Sequence, residues 1–135
     1  MMIAVFARLF LFVFCLAFFI IGVSGLLLTP WELTKIFGLD PIWLASDEAT
    51  SFLNQYRFLK VIEGAFGLFG LLKFRSILDG GVSNVIFLIG CGLAVIARSF
   101  SWIVDGRPDT MFVAFLVIEA LTFLLVLIHS KRARG

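Results

Sequence analysis

"FVAFLVIEALTFLLVLI", residues 112–128, is an apolar run with a single charged residue, Glu119, near its middle. Taken from Met111, the run reaches the ~18 residues expected of a helix that crosses a bilayer. The carboxylate decides how the chain is read. At the centre of such a helix it costs roughly 2.5–3.5 kcal/mol if it faces lipid. A chain that keeps it there must supply a partner.

Composition agrees with a bilayer as solvent. The 135 residues are 61% hydrophobic and only 15% charged, with a mean hydropathy of +1.12. Soluble domains average about 25% charged and about 45–50% apolar residues. Three further segments match the first: about 9–28, 53–72 and 82–104, with 111–128 as the fourth. The stretch at 9–28, with Arg8 ahead of it, resembles a signal peptide. It exceeds the ~7–15 apolar residues of such a core and reads as a retained span. The expected fold is all-α: a four-helix transmembrane bundle in one domain over 1–135.

Four spans put both termini on one side. Arg8, Lys73, Arg75, Lys131, Arg132 and Arg134 then share a face with Asp79 as its acid. The other face holds Lys35 and Arg107 against Glu32, Asp40, Asp47, Glu48, Asp105 and Asp109. Basic residues favour cytoplasmic loops, so both termini are expected in the cytoplasm, in a bacterial inner membrane. The long first connection suggests a short interfacial helix between spans one and two. In it, Thr29 would be the N-cap, Pro30 the first helical residue and Glu32 the closing member of a capping box. Gly38 suits its C-terminal cap, and Trp31 and Trp43 suit an aromatic belt. Ser46, followed by Asp47 and Glu48, would start the second span.

Five ionisable residues remain at membrane depth: Arg57, Lys60 and Glu63 in span two, Arg98 in span three and Glu119 in span four. Facing lipid, they would together cost roughly 12–17 kcal/mol, as much as a typical fold's whole stability of about 5–15 kcal/mol. They must therefore meet one another or line a wet cavity. Tyr56, Lys60, Glu63, Gly67 and Gly70 recur on one helix face. At 1.5 Å per residue, Glu63 and Glu119 lie about 15 Å and about 14 Å from the cytoplasmic ends of their spans, with Arg98 about 10 Å from the outer turn. The expectation is one polar pocket open to the outer face, with Arg98 as the partner of Glu119. It would take a polar small molecule, a lipid headgroup or a proton, the last shared between Glu63 and Glu119. Small residues (Gly64, Gly67 and Gly70; Gly90, Ala94, Ala97 and Ser101) would let the helices approach closely.

Other chemistries lack their residues. There is one histidine, His129, and the two cysteines, Cys15 and Cys91, lie in apolar stretches and read as buried thiols. Common zinc sites, a phosphate-cradling glycine loop and a nucleophile elbow are missing, and no basic block marks a nucleic-acid partner. No metal and no cofactor are expected, and an enzyme using Glu63 and Glu119 as acid and base is a minority reading. Asp105, Gly106, Arg107 and Pro108 read as a tight turn between spans three and four. The competing function is an accessory or scaffolding subunit of a larger membrane complex, or a homo-oligomer, in which the buried charges only fix helix register.

"ARSFSWIVDGRPDTMFVAFLVIEALTFLL" (97–125), with "TPWELTKIFGLD" (29–40) and Arg57 opening span two, resembles an uncharacterised bacterial family. It consists of small four-helix integral membrane proteins known as a domain of unknown function. The resemblance implies that Arg57, Arg98, Asp105, Gly106, Pro108 and Glu119 are the family's polar positions. Phe58, Leu59 and Lys60 depart from the small glycines such proteins carry after the span-two arginine. An architecture is implied, and no activity.

Overall fold

The computed structural model describes residues 2–134, with the side chain of Arg134, counted above among the basic residues, lying outside what is described. The described chain is helical and has no strand: α1 (Met2–Leu27), α2 (Thr29–Lys35), α3 (Pro41–Leu44), a 3-10 turn (Asp47–Ala49), α4 (Thr50–Leu72), α5 (Phe74–Asp79), α6 (Val82–Asp105) and α7 (Thr110–Arg134). Three helices are long and apolar enough to cross a membrane: Met2–Leu27, Val82–Asp105 and Thr110–Ala133. The chain is by this measure an integral membrane protein. α4 has the length, at 23 residues, but every 18-residue stretch of it contains Arg57, Lys60 and Glu63. α1 begins well before the expected residue 9, and α7 continues past 128 because Ser130 and the basic residues after it extend the helix without a breaker.

Contacts divide the chain into two units: Cys15–Phe69, and the chain on either side of it. In the Cys15–Phe69 unit the second half of α1 packs on α4, backbone to backbone. A Cβ on Gly22 would collide with the backbone of Gly64 and with the Lys60 carbonyl, the latter at 2.7 Å. One on Gly67 would strike the Cys15 carbonyl at 2.6 Å. Such contacts need residues without side chains. Phe18 meets Phe66 edge-on beside them, with ring centroids 6.4 Å apart.

The join between α1 and α2 departs from the expected capping box. Thr29 is fully buried and its hydroxyl donates backward, to the carbonyls of Gly25 (2.6 Å) and Leu26 (3.2 Å). Pro30 has no N–H to offer Leu26, so the threonine takes over that acceptor. The residue before α2 is Leu28, with no side-chain cap. Glu32 is thus free to turn inward. Gly38 supplies the left-handed turn after α2, at φ 68, where Leu39 N–H donates to the Leu33 carbonyl at 3.1 Å. Asp40 then caps α3, accepting from Ile42 N–H at 2.9 Å, with Pro41 at its first position. Ser46 does not cap with its side chain, because its hydroxyl donates to the Trp43 carbonyl at 2.7 Å instead.

In the other unit, α6 and α7 form the main helix pair and α5 packs on both. The segment after span two, expected as a plain connection, folds into α5. Its core residues Ile77 and Leu78 are buried, and Gly80 ends it at φ 85. Asn84, fully buried, donates its side-chain amide to the Ile77 carbonyl at 2.7 Å and so locks α5 to α6. Phe14 of α1 meets Phe87 edge-on at 6.0 Å, and Phe12 meets Phe74 at 6.5 Å. The turn at Asp105–Pro108 has Gly106 at φ 95, and Asp109 starts α7 by accepting from Met111 N–H at 2.9 Å. Cys15 and Cys91 are both buried thiols. Large apolar side chains such as Val82, Ile89, Leu93, Ile96 and Ile103 line the outside of α6. A helix this apolar on its outer face suits lipid rather than water.

Candidate functional site

Four of the five ionisable residues expected at membrane depth form ion pairs, Lys60 and Glu63 in the Cys15–Phe69 unit and Arg98 and Glu119 in the other. In the Cys15–Phe69 unit Lys60 is the hub. Its ammonium lies 2.9 Å from Glu32 Oε1 and 3.1 Å from Glu63 Oε2. It also lies 5.5 Å from the centroid of the Tyr56 ring. Lys60 and Glu32 are 8% and 9% exposed. Lys60 and Glu63 share a helix at i and i+3, whereas Glu32 arrives from α2. One cation thus faces two carboxylates, and two buried oxygens, Glu32 Oε2 and the Tyr56 hydroxyl, have no hydrogen-bond partner. Gly25 makes room for this. A Cβ there would sit 2.5 Å from both Glu32 Oε2 and Lys60 Cδ.

The second cluster joins α6 to α7. Arg98 donates through Nε to both oxygens of Glu119, at 3.1 and 2.8 Å. The carboxylate is 1% exposed while the arginine side chain is 34% exposed. The guanidinium carbon lies 5.8 Å from the Phe115 ring centroid, which adds a cation–π contact. About two helical turns toward the start of α6, the Cys91 thiol donates to the Glu119 carbonyl at 3.4 Å. Only Nε of Arg98 is engaged among the described residues. The same arginine lines a cleft of about 320 Å³ with Ala97, Ser101, Pro108, Phe112 and Leu116.

Of the other expected site residues, Arg57 is exposed on α4 and has no ion pair among the described residues. Asp105 accepts from the Ser101 hydroxyl at 2.8 Å, one turn back on α6. Gly106 and Arg107 are exposed in the turn, and Pro108 walls the cleft. No group of three His, Cys, Asp or Glu able to hold a metal occurs among the described residues.

Residues 6–129 match a family described as Domain of unknown function (DUF4345). The chain belongs to that family. No curated protein and no solved structure matches it. The DUF4345 region takes in both clusters, from Glu32 to Glu119, and its description carries no activity.

Two participants in the DUF4345 clusters escape a reading of the sequence. Glu32 sits three residues after a threonine and two after a proline, which is the pattern of a helix start. Its role as the buried partner of Lys60 has no local signal. Gly25 sits four residues ahead of Thr29 in an ordinary apolar run and looks like packing. Chemically, the two clusters offer opposite things. The triad has unused acceptors pointing inward, and the Arg98–Glu119 pair has unused donors beside a cleft.

Proposed function

We propose that this protein is a small membrane-embedded binding protein whose Arg98–Glu119 pair forms the polar end of a ligand site. The observation that carries the reading is the division of labour on one guanidinium. Nε is committed to a carboxylate that is 1% exposed, and the two terminal nitrogens remain beside a cleft of about 320 Å³ whose other walls are mostly apolar. Sites for small molecules commonly combine apolar walls with a few fixed polar groups. Because Glu119 already neutralises Arg98, an anionic ligand would leave the site with a net negative charge at low dielectric, which is costly. A neutral acceptor suits it better. The ligand class we infer is an amphiphile with an ester or ketone carbonyl at its polar end.

The proposed frame is four spans, α1, α4, α6 and α7, with α2 at the outer interface and both termini cytoplasmic in a bacterial inner membrane. α4 joins the spans because two of its charges, Lys60 and Glu63, pair with each other, and Lys60 also pairs with Glu32. The third, Arg57, lies about 10 Å from the helix start, within reach of the headgroups by snorkelling. The N-terminal turn of α1 and the end of α7 share a cleft lined by Ile3, Ala4, His129 and Arg132, which supports a common side for the termini.

Arg98→Lys tests the binding reading. Lysine keeps the charge on Glu119 but loses the planar fork. With the protein in nanodiscs, a long-chain alkyl ester carrying a diazirine should label peptides between Ala97 and Leu116, and the lysine variant should lose most of that labelling while remaining folded. Equal labelling of both proteins would refute the site.

A further inference from the structure

A second cleft, of about 380 Å³, lies in the unit formed by the chain on either side of Cys15–Phe69. It is lined by Arg8 of α1, Phe74, Arg75, Leu78 and Asp79 of α5, and His129 of α7. Its volume falls within the ~300–1,000 Å³ of small-molecule sites. The three basic side chains come from three different helices, so their convergence is a product of the fold and not of one basic run. Among the described residues neither arginine is in an ion pair, although both share the cleft with Asp79. Arg8 and Arg75 against Asp79 give the cleft a surplus of one positive charge, and His129 adds a ring N–H donor. Arg8, Arg75 and Asp79 are exposed at the mouth of the cleft, with His129 half-buried and Leu78 buried beneath them. The surplus charge is therefore reachable from outside the chain.

The geometry points to a phosphoryl group with a single negative charge, the phosphodiester of an anionic lipid headgroup, held between Arg8 and Arg75 with His129 as a third donor. Arginine matches phosphate oxygens with paired N–H donors. The charge of a phosphodiester equals the surplus of the cleft, whereas inorganic phosphate carries more. The position favours a lipid as the source. The cleft lies at the end where α1 begins and α7 finishes, both being helices apolar enough to cross a membrane. Phe74 and Leu78 supply an apolar wall on which a glycerol or the top of an acyl chain can rest. This inference needs the membrane reading but is independent of the Arg98 site.

The test is native mass spectrometry of the whole chain in detergent. The probes are dioleoylphosphatidylglycerol, dioleoylphosphatidylcholine and inorganic phosphate. The variants are Arg8→Gln/Arg75→Gln and, as a control of equal charge loss outside the cleft, Lys73→Gln/Lys131→Gln. The wild type should retain one phosphatidylglycerol about tenfold more tightly than phosphatidylcholine. The arginine double variant should lose that preference, and the lysine control should keep it. Competition by millimolar inorganic phosphate would keep the phosphoryl site but make a soluble phosphate its source. Equal loss in both double variants, or no preference between the two lipids, would overturn the proposal. Circular dichroism of each variant separates loss of binding from loss of fold.

Discussion

Lys60 and Arg98 are both cations held on long helices, yet they are neutralised in different ways. Arg98 has one carboxylate, from the neighbouring helix, and shares it through a single nitrogen. Lys60 has two, one from its own helix and one from the short α2. The first arrangement is balanced in charge and has donors to spare. The second is over-acidic and has acceptors to spare. Desolvation explains why neither is open to casual loss. Taking charges out of water costs several kcal/mol per ion, and only good geometry with a partner offsets it. The contrast teaches that a buried charge is diagnostic of function by what remains unsatisfied around it rather than by its burial. At Arg98 the unsatisfied groups meet a cleft. At Lys60 they are enclosed.

Breaking the triad should have the largest effect. Lys60→Met leaves Glu32 and Glu63 facing each other without a cation, and removing one partner from a buried pair costs about 3–5 kcal/mol. Thermal unfolding in detergent should show a loss at the upper end of that range. Wild-type stability for this variant would mean that water or lipid headgroups already serve the two carboxylates.

A smaller change sharpens the same comparison from the side of packing. Gly25→Ala puts a Cβ against Glu32 and Lys60, and Gly64→Ala puts one at an ordinary contact distance of 3.5 Å from Gly22. Overpacking costs about 1–3 kcal/mol, so Gly25→Ala should destabilise measurably and Gly64→Ala should change little. Similar effects at the two positions would remove the case that Gly25 exists to seat the triad.

The sequence makes much of this architecture legible, and unevenly. The long apolar segments announce α1, α6 and α7 because their length and composition have few other uses. The Arg98–Glu119 contact follows from counting residues to Arg98 from the outer turn and to Glu119 from the cytoplasmic end of its span. α5 was not legible, since Lys73, Arg75 and Asp79 make a polar connection whose helicity depends on burying Ile77 and Leu78 against α6 and α7. Glu32 was hidden by a local pattern that fits a cap equally well. Pro30 and Thr29 decide that competition. The threonine covers the carbonyl that proline abandons, and the glutamate is left to α4. Arg57, by contrast, was expected in the pocket from its charge and its depth in span two, and it is exposed on α4.

Arg98 and Glu119 act as one coupled unit across α6 and α7. A double-mutant cycle on unfolding in detergent, with Arg98→Leu, Glu119→Leu and the two combined, measures that coupling directly. Each single change should leave a charge unpaired, and the double variant should be more stable than either single one, with a coupling of at least about 1 kcal/mol. Losses that add to within about 0.5 kcal/mol would mean the two side chains are independent, and the proposed site would lose its foundation.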